Sequence, residues 1–523
     1  MTTAANDPLV LVFDVGTQSA RTLIINTRGD IVAKKKHPYA QPYVSGQTDW
    51  AEQDPDMYYR TICDTCRSVK ENAPELFHRV KAVTITTIRD TVVCVDEKGN
   101  PLRPAILWLD KRMADGKPRM TVARKAVFRA AGASSIVDLQ YAKSHCNWIR
   151  ENEPEIWQKT YKYLLLSGYL LYRMTGRIVD SKASMIGHIP FDNKHRTWYS
   201  PSSLTYPVYP VEPEKLCELV EAGEICGAVS SAFSSDSGLP QGMPVYASGS
   251  DKACELIGLG CLSSNRGAIG LGTTATFTYM SDEYTEPERF VPAYAALIPG
   301  KYNPEYEVYR GYWLISWFKK EFAQKEVMQA KEMGISAEQL LDQKLAGIPA
   351  GCEGLFLQPY FTPNVTMPYA KGAIVGFSDV HTRIHIYRAI VEGINFALMD
   401  GMRGIQKRSG QTFDSIAVGG GGSQSDEICQ ISADMYGIPV IRTQSYEATG
   451  IGAAISTFVG MKVFPDFETA VSACVRTEKQ FDPRPPVHAI YERLYEEVYR
   501  DIYPRLKPVY RHLDLVYKDA LLR

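Results

Sequence analysis

Asp251 follows an apolar run, Pro244–Ala247, and a Ser-Gly-Ser turn. A helix-like apolar segment then leads to a strand, Gly267–Gly270, and to the turn Gly272-Thr273-Thr274. A carboxylate at a strand-to-helix junction is placed to meet a ligand at the strand's carboxyl end. A turn of glycine and threonine brings backbone N–H groups and hydroxyls close to an oxyanion such as phosphate. The stretch therefore offers a base and a phosphate cradle together. Read alone, its two halves are equally a helix N-cap and a hairpin turn.

Two more glycine turns sit at strand ends. Asp14-Val15-Gly16-Thr17-Gln18-Ser19 links the apolar strand Leu9–Phe13 to Arg21–Ile25, and Gly419–Ser423 follows the strand Ser415–Val418. No GxxxxGK[ST] loop occurs, and no GxGxxG fingerprint follows a strand convincingly. A nucleoside triphosphate can instead be clamped between lobes, one turn from each lobe meeting the phosphates and the third taking the adenosine. Asp14 would then hold Mg2+, directly or through water, because hard cations prefer oxygen ligands.

Strands and helices alternate with glycine turns between them, which predicts an α/β protein in two lobes. The strand–Asp-x-Gly-Thr–strand pattern near the start recurs as strand–Gly-x-Gly-Thr-Thr–strand at 267–279, which suggests related halves. The boundary is expected near 264, giving domains 1–264 and 265–478 and an extension 479–523. The sequence predicts helices over 57–72, 163–175 and 385–408, and a loop-rich segment over 280–311. In the extension, Ile490, Tyr491, Leu494, Tyr495, Val498 and Ile502 form an aromatic stripe, read as a helix packed on the body, with a homodimer contact as the alternative.

A chain of 523 residues is too long for one core. A net charge of −1 gives no overall basicity to recruit nucleic acid or an anionic membrane. No apolar run reaches the length of a membrane span. The first residues carry no basic, apolar leader pattern, and the 11 cysteines have no framework spacing, so a cytoplasmic, reducing setting is expected. Cys63 and Cys66 form a lone CxxC within a helix, and His381 and His385 lack an HExxH glutamate; both pairs are read as structural.

The ordered set FDVGTQSAR (13–21), DWAEQDP (49–55), NPLRPAILWLDKR (100–112), SGSDKACELIGLG (248–260), GLGTTATF (270–277) and VGGGGSQSDEICQISAD (418–434) resembles the FGGY carbohydrate kinases of the actin/Hsp70-like ATPase superfamily. The resemblance implies two actin-like (ribonuclease H-like) lobes with a deep interdomain cleft. It implies ATP-dependent phosphorylation of a small sugar, ketose or polyol, with Asp251 as general base and Asp14 beside the magnesium. Gly16, Thr17 and Gln18 fall on the first phosphate turn, Gly272 and Thr273 on the second, and Gly421, Gly422 and Ser425 on the adenosine segment. Arg89, Asp90 and Trp108 fall on the substrate side. Thr87-Ile88-Arg89-Asp90 stands where many xylulose kinases carry Gln-Met-His-Gly, and Ser-Asp-Lys-Ala where glycerol kinases carry Gly-Asp-Gln-Gln, so the acceptor stays open. The alternative is a protein of the same fold that binds a sugar and switches with ATP without phosphorylating it.

Overall fold

Two six-stranded sheets built to one plan carry the chain. The computed structural model describes residues 7–41, 43–363 and 367–521. In the first lobe, β1 (Leu9–Val15), β2 (Ser19–Ile25) and β3 (Ile31–Pro38) form an antiparallel meander. Strand β1 is buried along its whole length, as an uninterrupted apolar run in a central strand should be. Its other neighbour is β4 (Val80–Thr87), parallel to it, and the sheet ends with β6 (Pro244–Ser250) and β5 (Ile225–Ala228) in the order β5-β6-β4-β1-β2-β3. Helix α1 (Pro55–Asn72) covers one face. Asp54 caps it through Asp56 N–H, and proline stands in its first turn. Cys63 and Cys66 are buried in this core, and burial pushes the Cys63 thiol up to about 12.

Helix α2 (Asp251–Gly258) leads to the second lobe. There β7 (Arg266–Leu271), β8 (Ala275–Tyr279) and β9 (Glu305–Val308) repeat the meander. Strands β10 (Ser415–Gly419) and β11 (Val440–Thr443) lie parallel on the far side of β7, and β12 (Thr477–Phe481) closes the edge antiparallel. The order β9-β8-β7-β10-β11-β12 matches the first sheet, and both first hairpins turn toward the same cleft.

The lobes meet where helix α2 crosses the small-residue helix α3 (Ala448–Gly460). A Cβ on Gly258 would stand 1.9 Å from the Ala448 carbonyl oxygen, and one on Gly452 would stand 1.9 Å from that of Cys254. Backbones this close admit only glycine. One apolar core surrounds the crossing and joins β1, β2 and β4 to Ala268 and Ala417 of the second sheet.

Two sequence readings need correction and a third gains a detail. Lys162–Leu165 is a strand paired with Val92–Val95, and the helix starts only at Leu166. The segment 280–311 is loop-rich as read, and it also contains β9. In the extension, helices Pro485–Leu494 and Arg500–Leu521 are joined by a π turn, Tyr495–Tyr499. The wider turn puts Tyr499 rather than Val498 on the buried face with Tyr491, Tyr495 and Ile502, and Ile490, before the turn, is exposed as well. The extension packs on the second lobe, where Tyr491 donates to Glu392 and accepts from Arg388, both on the buried helix Arg383–Ser409. His385 caps that helix at Thr382 and faces Glu353, and the ring of His381 packs on it.

Candidate active site

A cavity of about 1110 Å3 opens between the lobes. Gly16, Thr17 and Gln18 of the first hairpin line it, as do Gly272 and Thr273 of the second, together with Arg89, Asp90, Trp108 and Asp251. Tertiary structure thus gathers both expected phosphate turns, the candidate base and the candidate acceptor contacts around one space. Asp14, Gly421, Gly422 and Ser425 are not part of its wall.

Asp251 is the first residue of α2. Ser250 caps the helix through Ala253 N–H, and the Asp251 carboxylate accepts from the Lys252 N–H at 2.8 Å. A third of its side chain remains open. Burial raises its pKa, opposed by the charges of Arg89 and Lys252. The Arg89 Nε lies 3.9 Å from Asp251. The Arg89 guanidinium is already engaged across the cleft: Nη1 donates to Glu305 at 2.6 Å, Nη2 lies 3.5 Å from Glu307, and Tyr294 packs on its face. Burial pushes Glu307 up to about 7 against the pull of Arg89.

Asp90 occupies a left-handed backbone conformation, φ 44°. Its carboxylate bonds the His188 ring at 2.8 Å and accepts from the His188 N–H at 3.2 Å. Burial alone would raise its pKa, but the His188 pair holds it down to about 2. Gly187 is required here, since a Cβ would stand 2.3 Å from the Asp90 carboxylate. The Trp108 indole N–H donates to the Thr17 hydroxyl at 3.0 Å, tying Trp108 to the first hairpin turn.

Asp14 pairs with Arg21 at 3.1 Å, directly opposite it on β2, and Arg21 also bonds Glu447. Burial raises Asp14 to about 6; Arg21 opposes this, and the charges of Glu447, Asp251 and Glu255 add to it. The Asp14 oxygen nearest Arg21 is buried and held by that charge alone, without a hydrogen bond of good geometry. A carboxylate so placed, with further carboxylates nearby, fits a hard cation held mainly by phosphate and water. Among the described residues no group of three or more His, Cys, Asp or Glu forms a metal cage. Gly421 and Gly422 lie in a 3-10 turn in which Gly422 packs against Tyr312 and Gly421 faces open space, and the Ser425 hydroxyl caps helix Asp426–Tyr436 through Ile428 N–H.

Glu305, Glu307 and His188 are the neighbours that sequence reasoning missed. Glu305 and Glu307 alternate with the buried Tyr306 and Val308, and that period of two is the signal that puts both carboxylates on one face of a strand. His188 carries no comparable signal.

The duplicated sheets and the cleft between them are the fold of the actin-like ATPases: a xylulose kinase from Lactobacillus acidophilus superposes with a TM-score of 0.81 at 18% identity, covering 97% of this chain and 100% of that one. A Plasmodium falciparum glycerol kinase with ADP gives 0.74 at 18% identity, covering 94% and 97%. The description "FGGY family of carbohydrate kinases, N-terminal domain" matches residues 9–258, and its C-terminal counterpart matches 267–461. The chain belongs to the FGGY family of carbohydrate kinases and is a sugar kinase, a phosphotransferase. A Bacillus subtilis xylulose kinase is 26% identical over 91% of this chain and 93% of its own length. An uncharacterized sugar kinase of Escherichia coli is 24% identical over 98% and 95%.

Proposed function

We propose that this chain transfers the γ-phosphoryl group of ATP to a hydroxyl of a small sugar, ketose or polyol bound in the interlobe cavity, with Asp251 as general base. The observation that carries the reading is the convergence of Asp251 with both hairpin turns on one cavity. Asp251 takes the proton from the acceptor hydroxyl as that oxygen attacks phosphorus. Its raised pKa makes it a stronger base than an exposed aspartate. Thr17, Gln18 and Gly272–Thr273 offer N–H groups and hydroxyls to the phosphates, and Gly16, whose N–H donates to the Ser19 carbonyl, holds the first turn. Asp14 is the residue to hold Mg2+ through oxygen or water, and the ion, when bound, neutralises phosphate charge. Trp108 and Asp90 wall the acceptor side, and Asp90 orients His188 toward it. Gly421, Gly422 and Ser425 border the adenosine.

On this reading residues 1–264 supply the acceptor side and the base, 265–478 the nucleotide side, and 479–523 a helical brace on the second lobe. The free, buried cysteines support a reducing, cytoplasmic setting. Among the described residues no helix is long and apolar enough to cross a membrane.

The test is ADP release measured across ketoses, aldoses, polyols and sugar acids, with the phosphorylated position read by NMR. Release that requires one acceptor class supports the proposal. Slow hydrolysis indifferent to every acceptor refutes it and favours an ATP-driven switch.

A further inference from the structure

The cations of the cavity wall divide sharply by partner. Arg21 is paired with Asp14 and Glu447, Arg89 with Glu305, and Lys111 with Asp49. Arg112 is paired with Asp110 and Glu52, and Lys252 with Glu255. Among the described residues, Arg310 and Lys143 line the same wall without an ion pair or hydrogen bond of their own. Arg310 sits beside the second phosphate turn, next to Tyr309, whose carbonyl accepts from Thr274. Its guanidinium lies over the Trp313 ring, 4.9 Å from the centroid.

Lys143 comes from a different part of the wall. It closes the helix Ser134–Lys143 of an insert that also presents Ile136, Val137 and Gln140 to the cavity. Burial depresses its pKa, opposed by Asp90 and Glu307. Neither carboxylate is at contact distance from it. Asp90 is held by His188, and Glu307 leans on Arg89. An ammonium kept half-buried without a counter-ion is unfavourable until an opposite charge arrives. Closure over a neutral polyol would remove water from Lys143 and leave its charge uncompensated. Closure over an anion would compensate it with a charge-assisted hydrogen bond.

We propose that the acceptor is a polyhydroxy acid whose carboxylate is bound by Lys143, at the end remote from the hydroxyl that faces Asp251. This rests on the sugar-kinase reading and names its substrate class. Lys143 then selects the acceptor, and Asp251 selects the hydroxyl.

The experiment compares aldonates with alditols of equal carbon number, using the full chain and its Lys143→Met and Lys143→Arg variants. Coupled ADP release gives kcat and KM, and calorimetric titration gives acceptor binding without turnover. In the wild type, the aldonate is expected to exceed the matched alditol in kcat/KM by about 10- to 100-fold, the worth of one charge-assisted bond. Lys143→Met collapses that ratio through KM, and Lys143→Arg restores part of it. Equal kcat/KM for acid and alditol in the wild type overturns the proposal while leaving the kinase intact. So does a Lys143→Met variant that keeps the wild-type ratio. If no acceptor turns over, the kinase reading fails, and calorimetry still decides the site: aldonate binding that is absent, or indifferent to Lys143, overturns it.

Discussion

Replacing Arg89 with methionine removes the one guanidinium beside Asp251 and keeps much of its apolar volume. The 3.9 Å separation corresponds to about 4 kcal/mol at an effective dielectric of 20, a ceiling of about 3 pH units on the Asp251 pKa. The net effect is smaller, because the guanidinium is shared with Glu305 and Glu307 and a third of the Asp251 side chain meets solvent. About one unit survives that screening. The sign is fixed by chemistry: Asp251 must be ionised to accept a proton, and Arg89 favours the ionised form. Without Arg89, two carboxylates also face Asp251 uncompensated. The acid limb of kcat/KM is therefore expected to move up by about one pH unit or more. Glu305→Gln should move it down, since it removes a negative charge and frees Arg89 toward Asp251. The assay is coupled ADP release across pH, repeated in a Glu307→Gln background because Glu307 titrates near 7 and shares the limb. Limbs that shift together, or that stay with the wild type while only the plateau falls, would refute electrostatic tuning and reduce Arg89 to an acceptor contact.

Three further outcomes follow from named contacts. Asp251→Asn should lower kcat by about 10²- to 10⁴-fold while ATP still binds, checked by single-turnover kinetics and nucleotide titration; near-normal kcat would end the base assignment. Trp108→Phe loses the bond to the Thr17 hydroxyl and should raise KM for ATP as well as for the acceptor, whereas an effect on the acceptor alone would uncouple the wall from the phosphate turn. Gly452→Ala forces a methyl against the Cys254 carbonyl and should destabilise the fold by about 1–3 kcal/mol or more, read from urea unfolding; a neutral result would mean that the helices at the lobe junction separate at little cost.

Local chemistry made part of this site legible before folding. The two hairpins announce themselves by glycine and threonine between apolar strands, and Asp251 by its place after β6. The crossing helix announces itself by its run of small residues. The partners that give these groups their properties are invisible locally, because they arrive from far along the chain. Glu305 reaches Arg89 from the other lobe, and His188 reaches Asp90 from beyond the helical insert. A charged residue in a sequence has no pairing state, so Arg89 and Asp90 read as free to hold an acceptor, whereas folding binds each to a protein partner. The same blindness hides Lys143, which is notable only because folding leaves it without one. The π turn at Tyr495–Tyr499 defeats the helical wheel for a similar reason, since one wider turn re-phases every later residue.

The Arg89–Glu305 bridge gives the two-lobed plan a chemical consequence. Arg89 and Asp251 belong to the first sheet and its helix, whereas Glu305 and Glu307 belong to the second sheet. On the proposed reading, lobe separation would withdraw both carboxylates and leave Arg89 facing Asp251 alone, which would lower the Asp251 pKa and weaken it as a base. In the arrangement seen here Glu305 and Glu307 occupy Arg89, and burial raises the Asp251 pKa. A base strongest only when the cleft is shut meets the main requirement of this chemistry, that water not compete with the acceptor for the phosphoryl group. The opposite pH shifts expected for Arg89→Met and Glu305→Gln test this coupling directly, because a base tuned within one lobe would ignore a substitution in the other.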